Sequence, residues 1–132
     1  MQTIKKVWVN GCFDILHKGH IELLKFAKSQ GTFLIVGIDT DDRVRSMKGP
    51  ARPFNSQEDR MFFLEAIKYV DHVESFSSNE ELEKKLLHFS PAVMVVGSDY
   101  KDKKVIGSQY AKELIFFDRV PGYSTTRRLE NK

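Results

Sequence analysis

The sequence predicts a single α/β domain built on a doubly wound, five-stranded parallel sheet. Three observations lead there. Apolar runs of strand length alternate with helical patterns along all 132 residues, so helix-sized crossovers separate the strands and make them parallel. The second run, Phe33–Asp39, is continuously apolar rather than alternating, as a strand covered on both faces requires. No internal repeat, low-complexity tract or linker divides the chain.

The elements follow in order. Residues 7–10 read as a short buried strand. Residues 19–30 read as a helix, with Ile21, Leu24 and Ala27 on one face, Leu23 and Phe26 beside it, and Gly31 as its C′ residue. Phe33–Asp39 is the second strand, and Thr40 caps a short helix to about residue 47. A polar, proline-bearing loop over 48–55 leads to Ser56, which with Asp59 makes a capping-box-like start for a helix to about residue 69. His72–Phe76 is the third strand, Asn79 caps a helix to about residue 89, and Val93–Gly97 is the fourth strand. A polar loop over 98–108 precedes a fifth strand at 114–117, and Ser124 or Thr125 caps a last helix.

Composition narrows the function classes. Hydrophobic residues make up 41% and charged residues 30%, which fits a soluble globular domain. The single cysteine, Cys12, excludes an internal disulfide framework and a cysteine-rich zinc site. The longest apolar runs are far short of a membrane span, and the N-terminus has lysines but no apolar signal core. A cytoplasmic protein with no membrane partner is expected. The net charge of +3 is spread along the chain without a basic run, so nucleic acid is not the expected partner; lysines and arginines that serve a triphosphate give the same balance.

One stretch carries chemistry: Asn10-Gly11-Cys12-Phe13-Asp14-Ile15-Leu16-His17-Lys18-Gly19-His20. It sits after the first strand and at the mouth of the first helix, where unpaired backbone N–H groups of an open α/β sheet meet phosphates. Two imidazoles there can donate hydrogen bonds to phosphate oxygens as charge builds up. Other readings of the same residues are a surface pair or an i, i+3 metal pair for the histidines, and a turn cap for Asp14. His72 and His88 have no motif around them.

The same stretch resembles the nucleotidyltransferase superfamily with an H-x-G-H signature, and within it the small cytidylyltransferase-like branch. Near the other end of the chain, Arg119-Val120-Pro121-Gly122-Tyr123-Ser124-Thr125-Thr126 is similar to the branch's R-x-x-G-[IY]-S-T-T segment. Arg52-Pro53-Phe54-Asn55 with Glu58-Asp59-Arg60, and Gly97-Ser98-Asp99-Tyr100 with Val105-Ile106-Gly107-Ser108, resemble segments of heptose-phosphate adenylyltransferases. The Arg119-Val120-Pro121-Gly122 spelling sits nearer the glycerol-3-phosphate cytidylyltransferases. The resemblance implies a Rossmann-like fold and transfer of a nucleoside monophosphate from ATP or CTP to a phosphorylated small molecule, with pyrophosphate leaving. A heptose 1-phosphate is the expected acceptor. Glycerol 3-phosphate with CTP is the alternative, and a non-catalytic nucleotide-binding module is the reading from another class.

The resemblance assigns roles residue by residue. His17, His20 and Lys48 are the catalytic set, stabilising charge on the transferring phosphoryl group. Asn10, Gly11, Phe13 and Gly19 line the nucleotide, and Arg60 joins Lys48 as a phosphate clamp. Gly97, Asp99 and Tyr100 belong to the base pocket. Ser124, Thr125 and Thr126, with Gly122 before them, hold the far phosphates at the last helix N-terminus, and Arg119 adds charge beside them or contacts the acceptor. Asp14 shares a Mg²⁺ cofactor with the triphosphate. Cys12 is a small buried hydrophobe, since a phosphate dianion needs no enzyme nucleophile. Phe62, Phe63 and Leu64 supply core and interface, consistent with the homodimers common in this branch.

Overall fold

The computed structural model describes residues 3–98 and 103–118. Five strands, β1 (Lys6–Gly11), β2 (Phe33–Asp39), β3 (His72–Phe76), β4 (Val93–Gly97) and β5 (Glu113–Phe117), form one sheet in the order β3-β2-β1-β4-β5. Every neighbouring pair is parallel. Four helices connect them: α1 (Lys18–Ser29), α2 (Asp41–Lys48), α3 (Gln57–Glu65) and α4 (Asn79–Phe89). A 3₁₀ turn at Ser108–Tyr110 precedes β5.

Strand residues alternate between two cores, which is why the runs of β2 and β4 are apolar. Val7, Val9, Leu34, Val36, Ile38, Val93 and Val95 face Leu24 and Ala27 of α1 and Leu64 of α3. Trp8, Ile35, Phe76 and Met94 face Leu82 and Leu86 of α4 on the other side. The expected doubly wound sheet is the one observed.

Three local expectations change. The helix expected to reach residue 69 ends at Glu65, because the chain tightens into i→i−3 turns, Ile67 N to Leu64 O at 3.1 Å and Val70 N to Ile67 O at 3.0 Å. The cap of α4 is Ser78, whose hydroxyl accepts from Glu81 N, and Asn79 instead accepts from Arg43. Gly31 follows the helix as expected, but space rather than a left-handed backbone requires it: a Cβ there would lie 2.5 Å from the Lys5 carbonyl oxygen. The expected last helix at residues 124–125 lies outside the described residues.

This topology creates a crevice. Strand order reverses between β1 and β4, and there the pairing stops early. Val9 pairs with Val95, whereas on its other side β1 stays paired with β2 as far as Gly11 and Ile38. The carboxyl ends of β1 and β4 therefore part, at the position where open α/β sheets take ligands.

Candidate active site

The turn from β1 into α1 forms one wall of the crevice. Phe13 holds φ 51°, a left-handed backbone that a bulky side chain rarely adopts, and its ring returns into the core. The ring lies 3.1 Å from where a Cβ on Gly11 would stand, so a side chain at Gly11 would push it away. It also packs against His20, with centroids 5.3 Å apart. Both residues were expected at the nucleotide. Phe13 reaches the site through His20, and its own ring is core.

His17 is the N-cap of α1, with extended backbone. Its Nδ1 accepts from Gly19 N at 3.1 Å, and His20 Nδ1 accepts from His17 N at 3.2 Å. The arrangement is a capping box made of imidazoles. A backbone N–H can only donate, so both Nδ1 atoms are unprotonated and each neutral ring carries its proton on Nε2. The rings stack with centroids 3.9 Å apart and planes 21° apart. His17 is buried and His20 half-buried. The two stacked rings stand at the positive end of the helix, where negative charge is favoured. Gly19 enters differently from expectation: its N–H belongs to the His17 ring.

Lys48 is the last residue of α2, not part of the following loop, and its side chain is exposed. Its positive charge acts on Cys12, just past the end of β1. Burial pushes the Cys12 thiol above its ordinary value, only partly opposed by Lys48 and Arg60. Cys12 is thus a thiol rather than a thiolate, as a spectator requires.

Asp14 has a task the sequence did not reveal. It is buried, and its carboxylate accepts from Phe54 N (2.9 Å), Asn55 N (2.8 Å) and Arg52 Nε (3.2 Å). Asn55 Nδ2 also donates to the Asp14 carbonyl at 2.7 Å. These three donors take most of the acceptor sites that the carboxylate offers. The surroundings of Asp14 fit a loop anchor and do not fit a magnesium ligand.

Arg60 also differs from expectation. It is fully buried and makes four hydrogen bonds: Nε to Asn55 O, Nη1 to Cys12 O and Asp39 O, and Nη2 to Asp41 Oδ1. It ties the ends of β1 and β2 to the 49–55 loop. A guanidinium so enclosed is a staple, not a phosphate clamp.

Asn10, at the open end of β1, accepts from Trp8 Nε1 at 3.1 Å. Gly97 closes β4 across the crevice and is half-buried. Asp99, Tyr100, Arg119, Gly122, Ser124, Thr125 and Thr126 lie outside the described residues. The structure therefore sets His17, His20, Gly11 and Gly97 about the crevice, keeps Lys48 at the end of α2, and withdraws Arg60 and Asp14 into the support. Sequence reasoning missed Arg52 and Asn55 as members of that support. Their spacing within Arg52-Pro53-Phe54-Asn55 was visible, but their partner lies about forty residues away.

A parallel doubly wound sheet thus carries paired imidazoles at its switch point. The profile of the Cytidylyltransferase-like family matches residues 8–126, and the chain belongs to that family. A bifunctional protein HldE of Sulfurimonas denitrificans is 45% identical over 126 residues, which is 96% of this chain and 26% of that protein. The protein of the same name from Helicobacter hepaticus is 42% identical over 131 residues, 99% of this chain and 27% of its own length. The chain thus spans about a quarter of the length of these relatives. Among solved structures, a lipopolysaccharide core biosynthesis protein from Thermoplasma volcanium superposes with TM-score 0.72 at 24% identity, over 87% of this chain and 98% of that one. A pantoate-beta-alanine ligase from Francisella tularensis, complexed with beta-gamma ATP and beta-alanine, superposes with TM-score 0.62 at 20% identity, over 100% and 67%. At these identities the two structures speak for the fold.

Proposed function

We propose that this domain transfers adenylyl groups from ATP to a heptose 1-phosphate, forming an ADP-sugar and pyrophosphate. The observation that carries the reaction is the imidazole capping box, whose two rings stack at the helix N-terminus beside the crevice. The identity to the HldE proteins supports the choice of substrates, as the matched region is their heptose-1-phosphate adenylyltransferase part.

The step balances without an enzyme nucleophile. An oxygen of the acceptor phosphate attacks the α-phosphorus, the new P–O bond forms in line, and the bond to pyrophosphate breaks with its electron pair leaving on the pyrophosphate. A phosphate dianion has no proton to lose. Catalysis is then positioning and charge stabilisation. His17 and His20 donate to oxygens that gain charge at the five-coordinate centre, and Lys48 adds a mobile positive charge at the mouth. Magnesium is proposed as a companion of the triphosphate in solution, with no protein carboxylate assigned to it. Gly97 with Asp99 and Tyr100 is proposed for the base, and Arg119, Gly122, Ser124, Thr125 and Thr126 for the far phosphates.

The test is pyrophosphate release with Mg²⁺, crossing ATP and CTP with heptose 1-phosphate and glycerol 3-phosphate. Turnover confined to ATP with the heptose ester is expected. Turnover confined to CTP with glycerol 3-phosphate would replace these substrates, and nucleotide binding without turnover in any pair would leave a binding module.

No helix among the described residues is long and apolar enough to cross a membrane, and a cytoplasmic setting is proposed. A homodimer is proposed as well, because Phe62 and Phe63 stand 70% and 43% exposed while Leu64 beside them is buried. A monomer mass in sedimentation equilibrium would remove that part.

A further inference from the structure

The loop over 49–55 holds one polar atom that the site as described does not use. Arg52 Nη2 is buried and has no hydrogen-bond partner among the described residues. The rest of the side chain is fixed. Nε is bonded to Asp14 Oδ2 at 3.2 Å, and the guanidinium carbon lies 5.6 Å from the Phe54 ring centre. The side chain is 13% exposed and the Asp14 carboxylate 1%. Asp14 is in turn held by Phe54 N and Asn55 N. A guanidinium oriented this firmly, with a buried N–H edge lacking an acceptor, is prepared for an anion that arrives with a ligand.

Topology indicates which ligand. The loop carrying Arg52 follows β2 and α2, so it reaches the β1 end from the β2 side. The crevice between β1 and β4, with Gly97 across it, lies on the other side. The histidine cap stands between them, only three residues beyond Asp14. With the nucleotide in the crevice, the loop that carries Arg52 stands on the flank left for the second substrate. A planar donor fork suits a phosphate ester better than a sugar hydroxyl, because two of its N–H groups match two phosphate oxygens.

We propose that Arg52 receives the phosphate of the acceptor, a phosphate monoester, and sets its attacking oxygen against the α-phosphorus, with Asp14 as the positioning residue behind it. This rests on the transferase reading above and names its acceptor subsite.

The test compares wild type with Arg52→Gln and Arg52→Lys by isothermal titration. α,β-Methylene-ATP is titrated first. Heptose 1-phosphate, glycerol 3-phosphate and inorganic phosphate are then titrated into protein saturated with it. Thermal melts report whether each variant is folded, and Arg52→Lys keeps the charge while losing the fork. Expected is a loss of phosphate-ester affinity of roughly ten- to hundredfold in Arg52→Gln, with nucleotide affinity held within about twofold. Unchanged ester affinity in both folded variants, or an equal loss of nucleotide affinity, overturns the assignment. Wild-type turnover alongside unchanged ester affinity would remove this subsite and leave the reaction standing. Ester binding that depends on Arg52, without product from any nucleotide, would keep the subsite and remove the reaction. A wild type that binds none of the three phosphates removes the subsite.

Discussion

At the N-terminus of α1, two imidazoles stand where a hydroxyl and a carboxylate commonly close a helix end. Each ring gives Nδ1 to the fold while the proposed chemistry uses Nε2–H, so one residue would serve both purposes through different atoms. The two purposes are separable by substitution. Asparagine is among the best N-cap residues, so His17→Asn retains a cap while removing the Nε2 donor. We expect its melting temperature to stay near wild type and kcat to fall about a hundredfold or more. His17→Ala should lose the same activity and also about 1 kcal/mol of stability, because the cap is gone. Urea unfolding and steady-state kinetics on the two variants check this. A fall in stability without a fall in kcat would mean that the ring is only a cap.

The elements around the cap are held by charged groups that read in the sequence as ligand contacts. Arg60 joins β1, β2 and the 49–55 loop through three backbone carbonyls and Asp41. Arg60→Met fills the space but leaves those acceptors without a donor, which should cost about 3 kcal/mol. Limited proteolysis should find the 49–55 loop opened, and urea titration should give the energy. Asp41→Asn should cost less, since Asp41 is one-third exposed and can turn to water. A second charged cluster marks the β3 edge. Burial alone would raise the Glu74 carboxyl, but the bonded His72 ring and Lys85 outweigh it and hold the group below its ordinary 4.5. A carboxyl depressed in the folded chain stabilises it above the unfolded value, and that contribution fades as pH falls through the folded one. Unfolding free energy should therefore drop more steeply below pH 4.5 in wild type than in Glu74→Gln; parallel slopes would show that the cluster adds nothing.

Across the whole molecule, what was legible depended on how far each residue's partners lie along the chain. The bounds of β2 and β4 were readable because their apolar runs end at polar or glycine residues and both faces of the sheet there are buried. The histidine pair was placed at the mouth of α1 from its neighbours alone, but its capping role was not read. Arg60 and Asp14 were not, since burial of a charge depends on carbonyls and amides brought from other elements. Asp99, Tyr100 and the segment from Arg119 to Thr126 lie outside the described residues, so their reading stays with the motifs. The two cores should likewise divide stability from function. Leu24 of α1 and Leu86 of α4 are both fully buried, on opposite faces of the sheet. Truncating either to alanine should destabilise by about 2–5 kcal/mol. Only α1 carries the histidines at its end, so only Leu24→Ala shifts the donors relative to the crevice. Measured well below the melting point of both variants, kcat/KM should fall roughly ten- to hundredfold in Leu24→Ala. In Leu86→Ala it should stay within about twofold, its cavity lying beneath the other face. Equal losses in the two variants would mean that the sheet passes strain from one core to the other, and that the site depends on the whole fold rather than on the seat of one helix.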